Sequence, residues 1–212
     1  MALHSYYSKG GPFARRCLLT LAAKGLNYTA HSLDIGKQEH RTAAMLAINP
    51  RGALPLLQDG DLLVRESQAV MFYLDRAYPD PPLYGRTPQE AAAVMQEIAE
   101  QASYLEGPLK AILGPLLFGQ RVEKLEEAVS AAATSLRGEF DKLEARLQKQ
   151  AYLTGDLLSA ADINSYPFFP ALERALKQPQ VSNLSLGLTP FSKCYPAVGR
   201  WMAVMESIGG AD

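Results

Sequence analysis

Along the first eighty residues the spacing of apolar positions alternates between strand and helix periods. Ala2 to Tyr7 reads as a short strand. Phe13 to Lys24 places Leu18, Leu21 and Ala22 on one helical stripe and stops at Gly25, the residue type favoured just past a helix end. Tyr28 to Leu33 alternates as a second strand, and Glu39 to Ile48 reads as a shorter, weakly amphipathic helix ended by Asn49-Pro50. Leu54 to Gln58 and Asp61 to Val64 form a hairpin across Asp59-Gly60, and Ser67 to Tyr78 closes the series as a helix. The order βαβαββα predicts a four-stranded mixed sheet with helices on both faces and a parallel first crossover.

Pro79-Asp80-Pro81-Pro82 interrupts this pattern. From Pro88 onward the chain is rich in Ala, Leu, Glu and Gln at helical spacing with almost no strand signal. Two domains follow: an α/β domain over 1–78, a linker over 79–87 and an all-helical domain over 88–212. Within the latter, Gln89 to Phe118 and Val122 to Gln150 read as long helices, the first kinked near Gly107-Pro108 and broken by Gly114-Pro115. Ser159-Ala160-Ala161-Asp162 has the spacing of a capping box ahead of a helix that holds Tyr166, Phe168 and Phe169 and is made irregular by Pro167 and Pro170. A last helix, Ala197 to Met205, carries Trp201, the single tryptophan.

Charge and cysteine content narrow the function classes. Lys plus Arg number 21 against 22 for Asp plus Glu, a formal net charge of -1, which offers no electrostatic footprint for nucleic acid. Cys17 and Cys194 stand far apart in no metal-binding or C-x-x-C spacing, and three scattered histidines add no metal cluster, so no metal is expected. No apolar run reaches the roughly 20 residues of a membrane span, and no targeting segment is read at the start. The expected setting is cytoplasmic.

The chemistry concentrates at two neighbouring points. Pro55 stands directly ahead of Leu56-Leu57, a buried strand, and proline donates nothing to a central ladder, so it belongs at the strand's first residue. A proline there is a candidate cis peptide, which turns the Leu54 backbone outward to pair with an extended peptide ligand. Glu66-Ser67 then opens a helix, where free N–H groups and the positive dipole end favour a carboxylate while Glu66 suits an amine. Together these describe a dock for a small zwitterionic peptide. As structural alternatives, Glu66 and Ser67 form only a helix cap.

This order of elements, the Leu54-Pro55 strand entry, the Glu66-Ser67 helix start and the helical second half resemble the cytosolic glutathione transferases over essentially the whole chain. The resemblance implies a thioredoxin-like first domain that binds glutathione and a second domain that contributes a pocket for an electrophile. Gly11-Pro12-Phe13-Ala14-Arg15 resembles the loop-to-helix turn of the omega class and related bacterial enzymes, which reads Cys-Pro-Phe-Ala or Ser-Pro-Phe-Val. By the same resemblance Leu54 pairs with the cysteinyl unit of glutathione, Glu66 and Ser67 hold the γ-glutamyl end, and Arg41 binds the glycine carboxylate. A homodimer, a role in detoxification and glutathione as co-substrate are likewise implied.

The sequence departs from the family at the chemistry, because Gly11 stands where the omega class has its cysteine and other classes a serine. A glutathione thiolate still needs a donor hydrogen bond and the positive end of the first helix. Pro12 has no N–H, so Phe13 supplies the nearest backbone donor. Ser8 and Tyr7 are equally ranked hydroxyl candidates and Tyr6 stands behind them; strand alternation sends Tyr6 and Tyr7 to opposite faces. Lys9, Arg15 and Arg16 read as solvated or as a mildly positive rim, Cys17 as inert core and Cys194 as a bystander. Tyr104, Phe118 and Tyr166 are candidates for an apolar second-substrate pocket, against the alternative that helical aromatics are core. The expected activity is conjugation of glutathione to a small hydrophobic electrophile. The alternatives are a glutathione-binding member without catalysis, a thiol-disulfide reductase, against which Gly11 argues, and a glutathione-dependent isomerase or dehalogenase.

Overall fold

A computed structural model describes residues 3–209, so the predicted strand start at Ala2 lies outside the described residues, as do 210–212 of the helical domain. The chain forms two compact units that part between Tyr84 and Gly85, inside the segment read as linker.

The first unit runs β1 (Leu3–Tyr7), α1 (Pro12–Ala23), β2 (Tyr28–Ser32), a 3-10 turn (Glu39–Arg41), α2 (Ala43–Ile48), β3 (Leu56–Asp59), β4 (Leu62–Arg65) and α3 (Ser67–Ala77). Its sheet has the order β2-β1-β3-β4, with β1 parallel to β2 and the other two pairs antiparallel. Alternation along β1 buries Leu3, Ser5 and Tyr7 and leaves His4 and Tyr6 half-buried on the opposite face. The buried side meets α1 and α3 in a core of Leu3, Cys17, Leu21, Leu57, Val70 and Leu74. α1 ends as its sequence predicts: Gly25 takes φ +60 while its N–H and that of Leu26 close on Ala22 O and Leu21 O.

Three details depart from the sequence reading. The expected helix Glu39 to Ile48 is split, because Thr42 takes an extended conformation and its Oγ1 accepts from Met45 N–H, capping α2 afresh. Arg41 therefore sits on the 3-10 turn instead of the second helix. The hairpin pairs Asp59 with Leu62, so its loop is Gly60-Asp61, one residue later than Asp59-Gly60. The ladder of β3 begins at Leu56, two residues beyond Leu54.

The second unit runs α4 (Pro88–Glu100), a π-helical turn (Gln101–Leu105), α5 (Glu106–Leu117), α6 (Leu125–Leu147), α7 (Ala160–Ser165), α8 (Phe168–Leu176), α9 (Phe191–Cys194) and α10 (Pro196–Ser207). The first long helix is deformed just upstream of Gly107-Pro108. Pro108 cannot donate to the carbonyl one turn back, and the wider π turn takes up the mismatch. The break expected at Gly114-Pro115 does not occur: α5 carries Pro115 and ends two residues later, where Gly114 O accepts from both Phe118 N–H and Gln120 N–H. α9, a single turn after Pro190, went unread in the sequence.

The core of this unit is aromatic. Phe140 lies 5.4 Å from Phe169 and 5.2 Å from Phe191, and Phe169 lies 5.2 Å from Trp201, edge to face. Ser159 and Asp162 form the predicted capping box. Asp162 also accepts from Leu153 N–H at 2.8 Å and Trp201 Nε1–H at 2.9 Å, which joins α7 to α10 and to the 153 segment. Among the described residues, no helix is long and apolar enough to cross a membrane.

Candidate functional site

In the first unit the two points singled out by sequence take definite shapes. The Leu54–Pro55 bond is cis, Pro55 is buried, and Leu54 is half-buried ahead of the ladder. Asn49, itself buried, holds the preceding loop: its Nδ2 donates to Ala53 O at 2.7 Å and its Oδ1 accepts from Arg51 N–H at 3.2 Å. Between β4 and α3, Glu66 adopts φ 69 and ψ 124, a sparsely populated conformation for a side-chain-bearing residue that costs about 1–3 kcal/mol. That backbone turn leaves the Glu66 side chain exposed and seats Ser67, 6 % exposed, as the first residue of α3.

Sequence reading missed the residue behind Ser67. Arg16 was expected in solvent, yet it is 2 % exposed, its guanidinium lies over the Phe13 ring at 5.1 Å, and its Nη1 donates to Ser67 Oγ at 3.4 Å. No local signal marked it: the whole run Arg16 to Leu21 is buried in the fold, whereas a charged side chain on a helix is ordinarily solvated. Arg15 is half-buried, so it too is more than a solvated rim.

The loop after β1 carries the open question of the thiol. Gly10 takes φ +73 and turns the chain, and Gly11, at φ -84, precedes Pro12 at the first position of α1, which has no side-chain cap. A Cβ at Gly11 would stand 3.4 Å from Ser8 Oγ, an ordinary van der Waals contact. The Ser8 hydroxyl thus lies beside the space where a side chain at position 11 would begin. Tyr7 is 6 % exposed, and its ring packs with Ala14, Leu18 and Tyr28. Tyr6 points to the other face, stacks on His31 at 4.4 Å and donates to Gln58 Oε1 at 3.2 Å. Phe13 is half-buried in the first turn of α1.

Arg41 is exposed, but its stem lies against the same loop as Leu54: Arg41 Cγ would be 3.4 Å from a Cβ at Gly52, whose φ is +56. Cys17 is buried behind α1. Burial pushes its thiol up to about 12, only partly opposed by the Arg16 charge, so it is no nucleophile at neutral pH.

The three aromatics proposed for a second substrate separate in the other unit. Tyr166 belongs to the core: it is 1 % exposed, meets Trp201 edge to face at 5.9 Å, and its hydroxyl bonds Glu206. Phe118 caps the end of α5 and is 54 % exposed, and Tyr104 stands 58 % exposed on the π turn. Tyr104 borders a hollow of about 260 Å³, but the other walls include Glu97, Glu100, Gln101, Lys142 and Arg146. Leu105 and Leu143 complete a wall of mixed character, in which Arg146 pairs with Glu97. Among the described residues no three His, Cys, Asp or Glu side chains gather as metal ligands.

Comparison with known proteins converges on one family. Residues 6–82 match the model described as glutathione S-transferase, N-terminal domain, and residues 113–208 the model for the C-terminal domain. Glutathione S-transferase F10 of Arabidopsis thaliana is 33% identical over 159 residues, 73% of this chain and 74% of the relative. A probable glutathione S-transferase, GSTF2 of Oryza sativa subsp. japonica, is 31% identical over 194 residues, 88% of this chain and 83% of the relative. The solved structure of a glutathione S-transferase-I bound with lactoylglutathione is 27% identical with a TM-score of 0.78, covering 98% of both chains. The bacterial, omega-like reading of the loop gains no support from these relatives, of which the two from named organisms are plant proteins.

Proposed function

We infer, from a chain that belongs to the glutathione S-transferase family, that it binds glutathione in its first unit, holds the thiol as thiolate and transfers it to a small hydrophobic electrophile. The Leu54 backbone pairs with the cysteinyl unit, Glu66 and Ser67 take the γ-glutamyl amine and carboxylate, and Arg41 takes the glycine carboxylate. In the reaction the thiol proton has already left to solvent, the sulfur lone pair forms the new S–C bond, and the electrophile's bond to its leaving group breaks with its electron pair, chloride in the case of a chlorodinitrobenzene. The protein contributes position and a lowered thiol pKa.

The observation that carries this reading is Ser8 Oγ, 3.4 Å from the Cβ position that Gly11 leaves empty. A hydroxyl one turn of chain upstream thus replaces the missing side chain as donor to the sulfur, with Phe13 N–H at the helix start as the second donor. This favours Ser8 over Tyr7, whose ring is committed to the core. The loop's omega-like wording, Pro12-Phe13-Ala14, does not bring reductase chemistry, because a mixed disulfide needs a thiolate at position 11. Exposed Tyr104 and Phe118 are the aromatics left for contact with the electrophile, the assembly is a homodimer and the setting cytoplasmic.

Conjugation of a chlorodinitrobenzene probe across pH tests the assignment. Ser8→Ala is expected to lower kcat/KM by about 10–100-fold near pH 7 and to move the apparent thiol pKa of the complex up toward about 8.5. Tyr7→Phe is expected to change the rate less than about threefold. Gly11→Ser fits without backbone strain and, added to Ser8→Ala, is expected to restore most of the rate. An unchanged Ser8→Ala profile rules out Ser8 as the donor, and no binding of glutathione to the parent by calorimetry removes the reading altogether. Light scattering on the same sample reads the dimer, at about twice the 23.1 kDa chain mass.

A further inference from the structure

Among the described residues of the first unit, the fold takes the guanidinium of Arg16 out of water and sets it beside Ser67. Arg16 is 2 % exposed on α1, 51 residues before Ser67 in sequence, and its Nη1 donates to Ser67 Oγ. A serine hydroxyl has one hydrogen to give and two lone pairs to accept with. With one lone pair engaged by a guanidinium, which can only donate, the Ser67 hydrogen is free to point away from Arg16. A carboxylate, which can only accept, is the complementary partner. An ammonium could use only the one remaining lone pair and would leave the hydroxyl hydrogen without an acceptor.

The electrostatics run the same way. Ser67 opens α3, so its neighbourhood carries the positive end of a helix dipole, and the buried guanidinium adds a full charge that little water screens. Both favour an anionic group over a cationic one beside Ser67.

We propose that Arg16 is a positioning residue that acts through Ser67 to select ligands carrying the γ-glutamyl α-carboxylate. The proposal rests on the assignment of Ser67 to that end of glutathione. Arg16 itself touches neither the thiol nor the electrophile, so its effect belongs to binding, KM more than kcat, and to one functional group of the tripeptide.

Isothermal calorimetry with two ligands on the full chain tests this: reduced glutathione, and γ-aminobutyryl-cysteinylglycine, which lacks only that carboxylate. The parent is expected to bind glutathione about 10–100-fold more tightly than the analogue. Arg16→Met is expected to weaken glutathione about tenfold and leave the analogue within about twofold. Ser67→Ala should produce a similar loss, and adding Arg16→Met to it should cost less than about twofold more, because the route through the hydroxyl is already gone. Thermal melting establishes that each variant is folded. If Arg16→Met is not, Arg16→Lys, which keeps the charge but loses the planar fork, carries the same comparison, with a partial loss expected for glutathione only. Equal weakening of both ligands, or additive losses in the double variant, overturns the proposal. A parent that binds glutathione and the analogue equally also overturns it while leaving the family reading intact, whereas a parent that binds neither removes the reading on which it rests.

Discussion

Cys17 shows how burial decides the chemistry of a single residue. Its thiol is 1 % exposed, and the fold raises its pKa from 9.0 to about 12 by desolvation, with Arg16 acting in the opposite sense. Below pH 9 the thiol is protonated in both folded and unfolded chains and contributes no pH dependence. Above it the unfolded chain gives up the proton and the folded chain does not, so stability falls as pH rises from 9 toward 12, by up to about 1.4 kcal/mol per unit. Urea unfolding at pH 8 and pH 10 should therefore show a steeper alkaline loss for the parent than for Cys17→Ala; parallel losses would show that the thiol is not the source. Cys17 was legible as inert core because it stands among apolar neighbours on a helical run. Arg16, one residue earlier, was not, since a charged side chain in a helix is ordinarily solvated and its true partner lies 51 positions away. Likewise the Ser67 position followed from its helix start, whereas the standing of Ser8 against Tyr7 depended on the loop geometry around Gly11.

At the scale of elements, local chemistry was readable wherever a short motif fixes the backbone, and was lost where a distortion answers to packing. The capping box at Ser159 and Asp162 could be read from four letters, as could the end of α1 at Gly25 and the cis bond at Leu54–Pro55, although β3 itself begins one residue later at Leu56. The π turn could be located only to within a few residues, since Gly107-Pro108 announces a lost hydrogen bond but not which turn upstream absorbs it. Thr42 split a helix because its hydroxyl could cap a new start, an outcome the weak periodicity there did not decide. The capping box also did more than its motif implied: the Asp162 carboxylate accepts from Ser159 N–H, Ser159 Oγ, Leu153 N–H and Trp201 Nε1. Truncation would strand these donors in a fully buried site, so Asp162→Ala is expected to cost about 4 kcal/mol or more by urea unfolding, and Asp162→Asn, which keeps one acceptor, about half that. A loss under about 1 kcal/mol would reduce the motif to an ordinary surface cap.

For the molecule as a whole, the placement of the segment leaving the first unit depends on an ion pair that sequence gave no reason to expect. Residues 79–87 read as a linker, yet Leu83 and Tyr84 are buried. Lys24, at the end of α1, buries its ammonium completely, meets Asp75 at 3.0 Å and donates to Tyr78 O and Pro81 O at 2.7 and 2.8 Å. Asp75 in turn accepts from Leu83 N–H at 2.7 Å. The first helix, the last helix of the unit and the departing chain thus share one buried charge pair, which is why α1 ends in lysine before its glycine. Removing Lys24 leaves the buried Asp75 carboxylate only the more exposed Arg76 guanidinium at 3.3 Å as a cationic partner, so Lys24→Met is expected to cost about 3 kcal/mol and to speed tryptic cleavage after Arg86. Replacing both charges, as Lys24→Met with Asp75→Leu, removes the stranded carboxylate, and the pair should lose at least about 1 kcal/mol less than the two single losses combined. Strict additivity would mean that the two groups act separately, Lys24 through the carbonyls alone, and that the exit of the chain is held by the packing of Leu83 and Tyr84.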